Sequence, residues 1–204
     1  MDELINRVKN ILVTPKQEWV TIEAERLPNV KVLTSYLLLL ALIPAIGQFI
    51  GWGLIGKTTT VWGLESVKTV GIAIGLKNAI TSYVMMVGGA YLTAAVLYLL
   101  ALSFGSEKNF DQAFALAVYS LTPALVGGVF NLIPSLAIIA TLASLYSLYI
   151  LYIGLQPMMK TPADKTVGYF IVTLVCLIVA GSILVLILGA IMAALFVAGA
   201  VSLF

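Results

Sequence analysis

The sequence contains no histidine, one cysteine and very few charges. A zinc site of the usual kind draws on several His or Cys ligands, and a Ser-His or Cys-His nucleophile needs the imidazole that is missing here. No metal and no cofactor is therefore expected, and a single cysteine forbids a disulfide within the chain. Cys176 lies inside the last apolar stretch, away from any charged cluster, and reads as a small buried hydrophobe. Charged residues make up 10% of the 204 positions and hydrophobic ones 61%, where a soluble domain carries roughly a quarter charged residues. Such a chain has to be solvated by lipid. Its net charge of +2 gives no sign of nucleic acid as a partner.

The long apolar runs set the architecture. A helix rises 1.5 Å per residue, so about 20 uncharged residues cross a ~30 Å hydrocarbon core. Val32 to Ile55 is the first such run. A polar stretch with Lys57, Glu65, Lys68 and Lys77 follows, and its short apolar piece, Val70 to Leu76, is expected at the membrane interface. Ala79 to Phe104 is the second span, ending in the polar turn Gly105 to Asn109. From Ala113 to Leu155 no charge occurs, about twice the length of one crossing, and Pro134 in Asn131-Leu-Ile-Pro134 divides it into two spans near 113–133 and 135–155. Thr161 is expected to cap the last helix, with Pro162 in its first turn. The final uncharged run, Thr166 to Phe204, is read as one helix over about 167–196 with an apolar tail, bent near Gly181 or Gly189. The expected fold is an all-α polytopic helical bundle of about five transmembrane helices.

Residues 1–31 form a separate N-terminal segment. Leu4, Ile5, Val8, Ile11 and Leu12 recur at helical spacing, which predicts an amphipathic helix on the membrane surface or against the polar loops. Thr14, Pro15 and Gln17 read as the start of a second helix with a capping box, in which Trp19 and Ile22 share a face opposite Glu18 and Glu25. Acids near Met1 and the lack of a cleavage site predict no cleaved signal peptide. Eight of the eleven basic residues fall in the N-terminal segment, the second turn and the fourth turn, which a five-span chain puts on one side. Basic loops stay in the cytoplasm, so a cytoplasmic N-terminus and an outside C-terminus are expected.

No Asp, Glu, Lys or Arg lies inside the spans, which argues against a proton pump or an ion-coupled transporter. The polar residues that remain suit hydrogen bonds between helices. Pro44 and Pro123 each free a carbonyl and bend a span, and the hydroxyls of Tyr119, Ser120 and Thr122 can satisfy the groups released at Pro123. Pro44, Gln48, Tyr119, Ser120, Thr122, Pro123 and Asn131 thus form a candidate intramembrane polar site. Trp19, Asp164 and Lys165 are candidates for a cytoplasmic contact surface. Tyr146, Tyr149 and Tyr152 make a helical stripe suited to an interhelical seam. Small residues at Gly47 and Gly51, Ala90 and Ala94, and Gly189 and Ala193 allow close helix packing.

Three segments together give the chain a family resemblance: Thr14-Pro15-Lys16-Gln17-Glu18-Trp19 followed by Ile22 and Glu23; Tyr119-Ser120-Leu121-Thr122-Pro123; and Tyr149 to Leu155 leading through Ala163-Asp164-Lys165 to Gly168-Tyr169. In their order on a five-span pattern, the chain resembles the Yip (Ypt-interacting protein) family, in its prokaryotic inner-membrane branch. The resemblance implies a multi-pass protein of the inner membrane without an established activity, and the missing catalytic groups make a protein that is not an enzyme the expectation. Eukaryotic relatives are associated with vesicle traffic and Rab-type GTPases through a longer N-terminal region holding an Asp-Leu-Tyr-Gly-Pro element. This sequence lacks that element, so GTPase binding is not carried over. The expected role is membrane organisation or assembly, with membrane lipids and a second copy or another membrane protein as partners. The alternative is passive transport of a small neutral or lipidic substrate.

Overall fold

The computed structural model describes residues 2–61, 65–132 and 136–201, with side chains placed outside 57–69, 137, 184–185 and 187–201. Two N-terminal helices, α1 (Asp2–Val13) and α2 (Pro15–Glu25), precede the bundle. The spans are α3 (Asn29–Ile55), α4 (Ile72–Phe104), α5 (Phe110–Leu132), α6 (Ala137–Met159) and α7 (Thr166–Val201). Five helices among the described residues are long and apolar enough to cross a membrane. The chain is an all-α polytopic bundle.

Between α3 and α4 the chain forms a two-stranded antiparallel ribbon, β1 (Lys57–Val61) and β2 (Glu65–Thr69), with Thr59 opposite Val67. Its run of threonines and valines favours extended backbone. The apolar piece Val70 to Leu76 runs into the first turns of α4, which begins at Ile72. Lys77 and Asn78 do not break a helix, and Gly75 seats the turn so closely on α3 that an added Cβ would lie 2.5 Å from the Gly53 Cα.

α3 is not a uniform helix. A π-helical turn occupies Leu33–Leu37, where the Thr34 and Ser35 hydroxyls donate to the Val30 and Lys31 carbonyls at 2.9 and 2.6 Å. Side chains that bond the preceding turn in this way favour such irregularities. A second π turn over Gly51–Ile55 ends at Gly56 with φ 80°, a conformation that suits glycine. α5 breaks at Leu121, just before Pro123. The loop holding Pro134, where the third and fourth spans were expected to divide, lies outside the described residues. α7 is helical from Thr166 to Val201, about 54 Å at the helical rise, so the expected apolar tail continues the helix as far as Val201.

The polar segments meet at one end. The Glu107 N–H donates to the Met159 carbonyl at 2.7 Å, and the Ser106 and Thr161 hydroxyls lie 2.9 Å apart. Asn109 caps α5 by accepting from the N–H groups of Asp111 and Gln112, and Asp111 in turn accepts from the Asn29 N–H at the start of α3. Thr161 does not cap α7, as its hydroxyl donates to Leu155 of the preceding helix. The first turn of α7 is held by Thr166, which donates to the Pro162 carbonyl. Thr14 does precede α2 with Pro15 in first position, but no capping box forms, because the Thr14 hydroxyl donates back to Asn10.

Candidate functional site

The helical hairpin of α1 and α2 lies along α6 rather than apart from the bundle. The Tyr146 hydroxyl donates to the Leu12 carbonyl at 3.0 Å, Trp19 packs on Gly154, and Glu23 pairs with Lys160 at 2.5 Å. Trp19 is 1% exposed, and a Cβ at Gly154 would come within 2.7 Å of its indole and 2.5 Å of Leu116. Glycine is thus what lets α2 approach α6 and α5. The burial also corrects the expected contact surface, because Trp19 faces the core while Asp164 and Lys165 are exposed. Trp19 and Ile22 of α2 are buried within the chain, while Val20 on the same helix stays exposed.

Glu18 is turned inward as well, against its expected place on an exposed face. It accepts from Arg7 at 2.5 Å, the two side chains being 8% and 10% exposed, and the other terminal nitrogen of Arg7 donates to Glu25. Burial disfavours the charged guanidinium, but the hydrogen bond and attraction from Glu25, together with the fields of Tyr119 and Glu18, more than offset it and raise the Arg7 pKa. The guanidinium carbon also lies 5.8 Å from the centre of the Tyr119 ring, within cation–π range.

Below Arg7 runs the seam between the parallel helices α3 and α5. Pro123 cannot donate to the Tyr119 carbonyl, and the Thr122 hydroxyl takes that acceptor instead at 2.7 Å. The Tyr36 hydroxyl, 2.8 Å from Thr122, then supplies the remaining proton. Tyr36 and Tyr119 meet edge to face, with centroids 4.8 Å apart. Ser120 donates to the Leu116 carbonyl at 2.6 Å. Further along, Pro44 touches Gly128, and Gly47 abuts Gly128 and Asn131. The expected polar residues therefore form two groups on one seam, with Tyr119, Ser120, Thr122 and Pro123 near Arg7 and with Pro44 and the half-buried Gln48 and Asn131 farther from it.

A cavity of about 270 Å³ opens where α1, α3 and α5 meet, and Arg7, Tyr36 and Tyr119 line it together with Glu3, Lys31 and Ser35. Sequence reasoning found Tyr119 through its proline but missed Arg7 and Tyr36. Arg7 sits eleven residues from Glu18, and no local spacing rule joins two helices across a turn.

The three segments that carried the resemblance converge at Gly154 of the third, which packs against Trp19 of the first and against Leu116, one turn before the second. Tyr169 is buried, donates to the Leu97 carbonyl and stacks on Phe104. A family model for the Yip1 domain matches residues 9–184. The chain belongs to the Yip1 domain family. The matched region of this Yip1 domain begins inside α1 and ends inside α7, so it takes in α2, the first four spans and the first half of the fifth, while Glu3 and Arg7 precede it. No curated protein and no solved structure matches the chain.

Proposed function

We propose that this Yip1 domain protein is non-enzymatic and organises the membrane around it by holding the α1–α2 hairpin in one leaflet only. The supporting observation is the docking of the hairpin along α6 from Tyr146 to Lys160, roughly 21 Å of helix at 1.5 Å per residue. A hydrocarbon core is ~30 Å thick, so a polar hairpin covering that much of a spanning helix intrudes into the head-group region on its side. The bundle is then broader in one leaflet than in the other. The basic residues gathered at the hairpin end favour the cytoplasmic face of a cell membrane such as the bacterial inner membrane. Lipids are the first partners, and the exposed turn at Asp164 and Lys165 is a surface for a second copy or another membrane protein.

The test is reconstitution of the full chain into vesicles of uniform size, imaged by electron cryo-microscopy at rising protein-to-lipid ratio. Narrower vesicles or tubules are expected, and Gly154→Leu, which drives α2 off α6, weakens the effect. Unchanged vesicle diameter at every ratio overturns the reading. Passive movement of a small neutral or lipidic substrate is the second reading, supported by the cavity that reaches Tyr119. A dye-labelled lipid that changes leaflet faster in protein-containing vesicles than in empty ones would favour it.

A further inference from the structure

The cavity between α1, α3 and α5 carries two charges that have no ion-pair partner among the described residues. Glu3 and Lys31 both line it, and neither pairs with another described residue. Arg7 adds little free charge, because its terminal nitrogens are held by Glu18 and Glu25. The cavity thus offers one free anion and one free cation. Tyr119 lines the same space, and its hydroxyl has no hydrogen-bond partner among the described residues. Apolar walls come from Leu4, Leu27 and Leu39, and Leu39 is 49% exposed on the outer surface of α3, where lipid chains run.

We propose that this cavity binds the head group of a zwitterionic phospholipid with a primary amine, of the phosphoethanolamine type. Lys31 and the Tyr119 hydroxyl donate to the phosphate, Glu3 accepts from the ammonium, and the acyl chains descend along Leu39. The volume of about 270 Å³ lies just below that of sites for drug-sized ligands, ~300–1,000 Å³, and suits a head group whose tails remain in the bilayer. A primary ammonium has three donors for a carboxylate. A choline head group needs a free aromatic face, and here the Tyr119 ring faces Arg7 while Tyr36 stands edge-on to it. A purely anionic head group would leave Glu3 opposed.

The test uses the full chain, delipidated in detergent and offered equal amounts of phosphatidylethanolamine, phosphatidylcholine and phosphatidylglycerol, with bound lipid counted by native mass spectrometry. One phosphatidylethanolamine per chain is expected, retained about tenfold over the other two, a margin equal to one 1.4 kcal/mol step. Both test positions are exposed, so Glu3→Gln and Lys31→Gln keep the helical circular dichroism of the parent. Glu3→Gln abolishes the preference for the amine lipid over phosphatidylglycerol, and Lys31→Gln weakens retention of all three. Equal retention of the three lipids overturns the proposal, as does a preference that survives Glu3→Gln. So does displacement of the lipid by equimolar glycerophosphoethanolamine or inorganic phosphate, which would make the ligand a soluble phosphate compound. None of these readouts depends on vesicle shape, so the site and the proposed role fail separately.

Discussion

At the scale of single residues, the hydroxyl of Thr122 does what the imide nitrogen of Pro123 cannot. It donates to the Tyr119 carbonyl and is itself held by Tyr36. Removing each partner therefore has a different cost. Tyr36→Phe takes away one interhelical hydrogen bond, worth ~0.6 kcal/mol in membrane bundles. Thr122→Val removes the hydroxyl bond to the Tyr119 carbonyl, which keeps a backbone N–H from the helix end, but it leaves the buried Tyr36 hydroxyl without its partner and costs about 1–3 kcal/mol. Denaturation in mixed micelles measures both, and equal losses would mean that the Tyr36 hydroxyl finds another partner. Trp19 gives a second contrast, since its indole Nε1 has no hydrogen-bond partner among the described residues. Trp19→Phe is expected to lose under about 1.5 kcal/mol, while Trp19→Ala loses about 3–5 kcal/mol through the cavity it leaves. The roles of Thr122 and Pro123 were legible in the sequence because the rule joining them is local. Trp19 was misplaced because its partner, Gly154, is small enough to leave no mark in a hydrophobic pattern.

At the scale of elements, the docking of α2 rests on an ion pair at its end as well as on packing. Glu23 accepts from Lys160 at 2.5 Å and from Arg26 at 3.4 Å. Both cations stand in the left-handed conformation that closes their helices, with φ 52° for Lys160 and 43° for Arg26. The hydrogen bond from Lys160 is the chief cause that holds the Glu23 pKa below its ordinary value of 4.5. A carboxylate depressed on folding contributes stability that is present above its unfolded pKa and is lost as pH falls through the folded one. Lys160→Gln is therefore expected to unfold at lower temperature than the parent at pH 7, with the gap closing below the ordinary carboxylate range. A gap unchanged at acid pH would remove Glu23 from the contact. The helices themselves were readable from apolar runs and from Pro15. Their mutual docking was not, because mixed charge on α1 and α2 fits solvent as well as an ion pair folded inward.

At the scale of the whole molecule, the clustering of basic residues predicts which side each end faces. Glu23 pairs with Lys160, and the Lys165 ammonium comes within 3.6 Å of a Cβ built on Gly105. The N-terminal helices, the turn after α4 and the turn after α6 thus share one end of the bundle. The other end carries the ribbon with Lys57 and Lys68. Charge excess holds short loops in the cytoplasm, so the hairpin end is expected there and the ribbon outside. Cys176, the single cysteine, can be replaced by Ser to give a background for the test. In that background a cysteine in place of the exposed Lys9 is labelled by an impermeant thiol reagent in inside-out vesicles only, and one in place of Thr59 in the ribbon is labelled in intact cells. Reversal of both patterns would turn the molecule over and put the Glu3 and Lys31 cavity in the outer leaflet. Both sites labelled from one side would instead break the five-span count, because an odd number of crossings separates the hairpin from the ribbon whichever way the bundle is inserted.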